Sequence, residues 1–435
     1  GDVGFLLFLK NIRCEHAYYH GAILTFHEGD WGGVSLGAFI FINGKRGDEY
    51  KKTVSVHEYG HTIQSLILGP LYLFVVGIPS FVWCNNKKCI AMRQEQNKSY
   101  YDAQVKEKFN GVLLHIGSLP SEYGVGALSE GAFSFVDFLA DAKVDFWQTL
   151  PLSPTSFGDS PYQSPSAFAG NPYFIDINTL VKRGLLTENE AKRAKTKSLD
   201  YAEIFNSRYD VLRLAFKRFQ KNSDYSKFLE NNEYWLDDFA LFMALKVKNG
   251  FSSFDTWEKD ERRRDTLSDE KIAALQDECD FWRFLQFEFY RELTALKDYA
   301  KSKNVALIGD IPIYVAYDSA DVWAHPEIFR LDKNMRPKEV AGVPPDYFSA
   351  DGQLWGNPLY DWKKQQSDGF VWWHHRLLHQ LQFFDKIRID HFRAFESYYA
   401  VPYGATTAKI GRWVKGVGTK IFDGLDLDDR TRVFL

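Results

Sequence analysis

Cysteine is scarce in this chain. Its 435 residues include four, Cys14, Cys84, Cys89 and Cys279, and no CxxC pair. That argues against a disulfide scaffold and fits a reducing compartment, expected to be the cytoplasm. Methionine is scarcer still, with three residues, the first being Met92, and the chain opens on Gly1. The expectation is a fragment or a joined reading frame, and no secretory leader pattern opens it. Neither sign of charge dominates: 53 basic and 57 acidic residues are interspersed, giving a net charge of −4. No electrostatic argument therefore favours nucleic acid as a partner. Internal repeats and low-complexity segments are also missing.

Aromatic side chains are plentiful, at 16 % of residues, with 12 Trp, 23 Tyr and 36 Phe. They suit sugar rings, whose C–H faces stack on them, and they equally suit a large core. The length allows two or three ordinary domains, or one large barrel with additions.

Residues 1–100 differ in character from the rest and are expected to form an α-rich segment. A glycine-rich turn, Trp31 to Gly37, precedes His57-Glu58-Tyr59-Gly60-His61. On a helix His57 and His61 share one face, one turn apart, and can hold Zn²⁺ while Glu58 acts as a base on a bound water. Two unmetallated histidines on a helix fit the same spacing. An apolar run over residues 63–83 is close to the length of a membrane span, but Pro70 and Pro79 favour a bent or re-entrant segment in contact with a membrane. This part weakly resembles small membrane-associated HExxH proteins of the zincin type. A third zinc ligand has no patterned position, with Glu95 the one candidate.

From 109 to 435 the pattern becomes α/β. Gly111–Ile116 and Asp145–Leu150 read as short buried strands, with helical spacing from Gly131 to Ala142 between them. Val305–Asp310 reads as a third strand, preceded by an aromatic helical stretch from Asp280 to Lys303. Lys386–Asp390 reads as a fourth. Between strands two and three, residues of about 182–297 are charged and helical in texture, and are expected to be an inserted helical subdomain rather than a loop.

The run Lys386-Ile387-Arg388-Ile389-Asp390-His391-Phe392-Arg393 carries the sharpest chemistry. Strand side chains alternate, so Arg388 and Asp390 point the same way. A carboxylate beside a guanidinium stays ionised, as a glycosidic nucleophile must, and a purely structural ion pair at a strand end has the same appearance. The other unusual strings also follow predicted strands, where the βα loops of a parallel barrel gather. They are Asp159–Pro172, Gly309–Glu327, Val340–Ser349 and Gly352–Trp362.

Together these strings, DSPYQSPSAFAGNP, GDIPIYVAYDSADVWAHPE, VAGVPPDYFS, GQLWGNPLYDW and KIRIDHFR, resemble those of glycoside hydrolase family 77, the 4-α-glucanotransferases of the α-amylase clan. The resemblance implies a TIM (β/α)8 barrel, of which residues 109–435 supply the first four strands and the helical insertion. It implies transfer of α-1,4-glucan segments between maltooligosaccharides, derived from starch or glycogen, with no cofactor. It assigns Asp390 as nucleophile, with Arg388 keeping it ionised. Asp310 and Tyr162 belong to the donor-sugar site, Trp355 to a mobile loop shaping the acceptor sites, and His391 to sugar hydroxyls. Phe157 stands where some relatives carry a tyrosine at a second glucan groove, and Ala394 replaces a usual glycine. The family's acid/base glutamate follows a fifth strand, beyond Leu435, so this polypeptide is expected to be poorly soluble and inactive alone. The rival readings are a zinc-dependent membrane protease centred on His57, Glu58 and His61, and a glucan-binding protein without catalysis.

Overall fold

The computed structural model describes residues 9–11, 13–19, 22–28, 34–36, 39–45, 47, 51, 54, 55, 109–156, 158–196 and 199–434. The chain divides into two compact units, Gly1–Lys108 and Phe109–Leu435.

In the first unit most of the described residues form a sheet, where an α-rich segment was expected, and residues 9, 10, 51, 54 and 55 are helical. Its strands are β1 (Glu15–Tyr19), β2 (Ala22–His27), β3 (Val34–Leu36) and β4 (Phe39–Asn43), in the order β1-β2-β4-β3. β-branched and aromatic residues in AILTFH and FIFIN favour a pleated, half-buried surface over a helix. Leu24, Ile40 and Ile42 bury its small core. His57, Glu58, His61 and the apolar run 63–83 lie outside the described residues, as do Cys84, Cys89 and Glu95. Among the described residues no helix is long and apolar enough to cross a membrane, and no group of three or more His, Cys, Asp or Glu could hold a metal ion.

The second unit runs β5 (Gly111–Leu113), α1 (Glu130–Asp141), β6 (Phe146–Gln148), α2 (Tyr201–Arg218), α3 (Ser223–Lys248), α4 (Gln276–Ser302), β7 (Ala306–Pro312), β8 (Glu339–Val343), β9 (Gln353–Pro358), α5 (Val371–Phe383), β10 (Lys386–Asp390), β11 (Ser397–Pro402), β12 (Arg412–Lys415) and β13 (Val433–Phe434), with shorter helices between. Strands β5, β6, β7, β10 and β13 form one parallel sheet, each pairing with the next in chain order. Four parallel strands were expected. The fifth, β13, pairs Val433 with Ile387, so β10 has a strand partner on each side. A two-residue strand is too short to show any alternation in sequence.

A second sheet, β12-β11-β8-β9, is antiparallel; β8 and β9 fall in strings read as loops, and β11 and β12 carry no expectation from sequence. Gly342, Gly352, Gly356, Pro344 and Pro345 punctuate β8 and β9 and hide their pairing. At Gly352, with φ +69°, a Cβ would meet the Val343 carbonyl at 2.4 Å, so glycine is required for this turn.

The helical layer between β6 and β7 absorbs much of the aromatic content. α2 and α3 start on side-chain caps, Asp200 accepting from the Ala202 and Glu203 amides and Asn222 from that of Tyr225. Both end on basic residues that complement the helix dipole. α4 packs along α3, burying Phe281, Trp282, Phe284, Leu285, Phe289 and Leu293. α4 then delivers the chain to β7. Gly309 in β7 lets the Phe384 ring lie against the strand, where a Cβ would be 2.6 Å from it. Thus the aromatic excess is largely core.

Candidate active site

Asp310 on β7 and Arg388 on β10 face each other because the parallel register pairs those two positions. Arg388 donates from Nη1 to Asp310 Oδ1 at 2.8 Å and from Nη2 to Asp390 Oδ1 at 2.6 Å. Ile387 and Ile389, which alternate with them along the strand, are buried on the opposite face, as strand alternation requires. One guanidinium therefore bridges two carboxylates of unequal access. The Asp310 side chain is 1 % exposed and that of Asp390 38 %. The open carboxylate is the one an incoming group can reach.

Burial pushes the Asp310 carboxyl above the usual range. The Tyr162 hydroxyl and Arg388 oppose that, while the Asp390 charge adds to it. Burial pulls Arg388 down, but its two carboxylate partners outweigh this and hold it above its ordinary value. Tyr162 donates its hydroxyl hydrogen to Asp310 Oδ2 at 2.8 Å. Desolvation, then Asp310, drives the Tyr162 pKa up, so it remains a donor. Asp310 is thus held on both oxygens, by a cation and by a phenol.

Trp355 lies in β9, paired to β8, and not on the loop expected. Its ring meets that of His391 edge-on, with centroids 4.8 Å apart at 81°. His391 follows β10 directly, in the left-handed region at φ 55°. Burial lowers its pKa against the pull of Asp390, which favours a neutral ring able both to donate and to accept. The structure thus gathers Asp390, Arg388, Asp310 and Tyr162 into one chain of hydrogen bonds, with Trp355 and His391 forming an adjoining aromatic pair. Phe157 lies outside the described residues. Glu122 is paired with Lys195, away from this group.

Three further residues escaped sequence reasoning. Gln163 and Asn357 exchange amide hydrogen bonds between the loop after β6 and β9. Both sit inside quoted strings, but their pairing across 194 positions leaves no sequence signal. His115, just past β5, sits near Thr149 Oγ1 at 3.5 Å, and burial pushes its pKa down to about 4. Its place just after a strand of the parallel sheet was the available clue.

A family model described as 4-alpha-glucanotransferase matches residues 114–433. Similar proteins include a 4-alpha-glucanotransferase of Clostridium butyricum, 47 % identical over 318 residues, covering 71 % of this chain and 65 % of that protein. Another, from Aquifex aeolicus, is 43 % identical over 318 residues, covering 72 % and 65 %. An amylomaltase from Streptococcus agalactiae, solved in complex with acarbose, superposes with a TM-score of 0.71 at 38 % identity, covering 75 % of this chain and 68 % of that one. The chain thus spans about 65 % of the length of these curated relatives. The parallel sheet, the carboxylate–guanidinium bridge at its strand ends and these matches agree, and the chain belongs to glycoside hydrolase family 77, the 4-alpha-glucanotransferase family.

Proposed function

We propose that this protein transfers α-1,4-glucan segments between maltooligosaccharides by a retaining double displacement, acting on starch- or glycogen-derived glucans in the cytoplasm. The observation that carries it is the bridge Asp310–Arg388–Asp390, in which the exposed Asp390 carboxylate is oriented by a cation that is itself fixed by a buried acid. In this reading Asp390 attacks C1 of the donor glucose, and its oxygen–C1 bond forms as the glycosidic C1–O bond breaks. Asp310 and Tyr162 hold the donor sugar. Trp355 and His391 line the acceptor side, where a sugar 4-OH replaces the leaving group. A second carboxyl group serves as proton donor in such a mechanism, at about 5–5.5 Å from the nucleophile; it is assigned to neither Asp310 nor Asp390. The chemistry uses carboxylates and hydrogen bonds and calls for no metal or organic cofactor. The sequentially ordered parallel sheet is an arc of the (β/α)8 barrel in this reading.

The test uses a 5-fluoroglucosyl fluoride, whose fluoride leaves without protonation. Asp390 is expected to acquire a glucosyl adduct, located by peptide mass spectrometry, and Asp390→Asn is expected to acquire none. Labelling of a different side chain would sink the assignment.

A further inference from the structure

We propose that the amide pair Gln163–Asn357 is a latch that sets the spacing between the donor and acceptor sides of the cleft, so that these two residues act as positioning residues for acceptor-side affinity. The names donor and acceptor rest on the glucan-transfer reading above; the latch itself is defined by contacts within the chain.

Gln163 follows Tyr162, whose hydroxyl is tied to Asp310. Its Nε2 donates to the Trp355 carbonyl at 3.3 Å and to Asn357 Oδ1 at 3.1 Å. Asn357 returns a bond from Nδ2 to Gln163 Oε1 at 3.4 Å and donates to the Val315 carbonyl at 2.8 Å. One pair of side chains therefore ties three segments: the loop after β6, the loop after β7, and β9. Asn357 is 4 % exposed, so its amide has no alternative partner in bulk water.

The chemistry requires amides. A carboxamide donates and accepts through one rigid plane, whereas a carboxylate only accepts and a hydrocarbon does neither. The Trp355 side chain offers no substitute hydrogen bond to the Tyr162 side, since its Nε1 donates to Gln353 two residues away on its own strand and its ring rests edge-on against His391. With its backbone released from Gln163, the Trp355 ring would drift relative to Tyr162. A displacement of about 1 Å in a positioned group can cost on the order of 100-fold in rate. The pull on Tyr162 is smaller, because that residue keeps its own bond to Asp310.

The test compares wild type with Gln163→Met, which keeps length without polarity, and Gln163→Glu, which accepts but cannot donate. Calorimetry would follow acarbose, an oligosaccharide analogue long enough to reach both sides, and 1-deoxynojirimycin, a single-ring probe. Acarbose affinity is expected to fall about tenfold in both variants while that for deoxynojirimycin stays within roughly twofold, as loss of one or two hydrogen bonds to a positioning group implies. Equal losses for both probes, or unchanged acarbose binding, would overturn the latch. Hydrogen exchange supplies a readout independent of sugars. Exchange should quicken in peptides covering 159–165 and 353–358 and stay unchanged in 306–312. If wild type bound neither probe, the glucan reading would fail, and unaltered exchange in those two peptides would then refute the latch on its own.

Discussion

Among single residues, Arg388 holds the decisive position. It is the cation shared by Asp310 and Asp390, so its removal leaves a buried acid and a half-exposed one with no charge between them. Asp310, already pushed up by burial, would lose the cation that opposes that push. Arg388→Met is therefore expected to slow labelling of Asp390 by roughly 100-fold, comparable to loss of a general electrostatic stabiliser. Labelling at the wild-type rate, followed by peptide mass spectrometry, would show that Arg388 does not orient Asp390. The pair Arg388–Asp390 was legible in sequence because strand alternation alone puts both side chains on one face. Asp310 entered through resemblance, yet its bond to Arg388 depends on a register between strands 78 positions apart, which no local pattern encodes.

At the level of elements, the packing of α4 against the loop after β6 is the tightest joint near the site. Gly170 exchanges two hydrogen bonds with the Gln286 side chain, its amide donating to Oε1 at 2.7 Å and its carbonyl accepting from Nε2 at 3.0 Å. A methyl group on Gly170 would fall within the Phe289 ring of α4. Gly170→Ala is expected to cost about 1–3 kcal/mol through overpacking, read as a lower denaturant midpoint at unchanged slope. No loss of stability would mean that α4 can shift away freely. Long helices such as α3 and α4 were foreseeable from charge texture and apolar spacing. The antiparallel sheet was not, because its strands are short, glycine-broken and non-local, and the same residues read equally well as turns. β13 is shorter still, and only its partner β10 defines it as a strand.

For the molecule as a whole, buried histidines contribute to acid sensitivity. His379 is fully buried, with one ring nitrogen 2.8 Å from the Tyr234 hydroxyl and the other 2.8 Å from that of Tyr290. A neutral imidazole satisfies both, donating to one phenol and accepting from the other. Burial pushes its pKa down to about 3, and that of His115 to about 4. The unfolded chain, with histidines near 6.5, then binds more protons than the folded one below that pH. Stability is thus fully present above about 6.5 and is lost as pH falls from there towards 4 and 3, by about 1.4 kcal/mol per pH unit for each such histidine. Urea midpoints measured from pH 7 to 4.5 should fall accordingly, and His379→Phe should flatten the slope. A pH-independent midpoint would contradict neutral burial.

Strands β6 and β7 lie side by side although the polypeptide leaves at Gln148 and returns at Ala306 by way of an entire helical layer. Closing a detour grows only slowly dearer with its length, by about 0.6 kcal/mol for each doubling. The seam can therefore accept a longer excursion between its two strands while the hydrogen-bonded rungs keep their alignment. Evolution could reshape this helical excursion without renegotiating the strand ends that hold the charges.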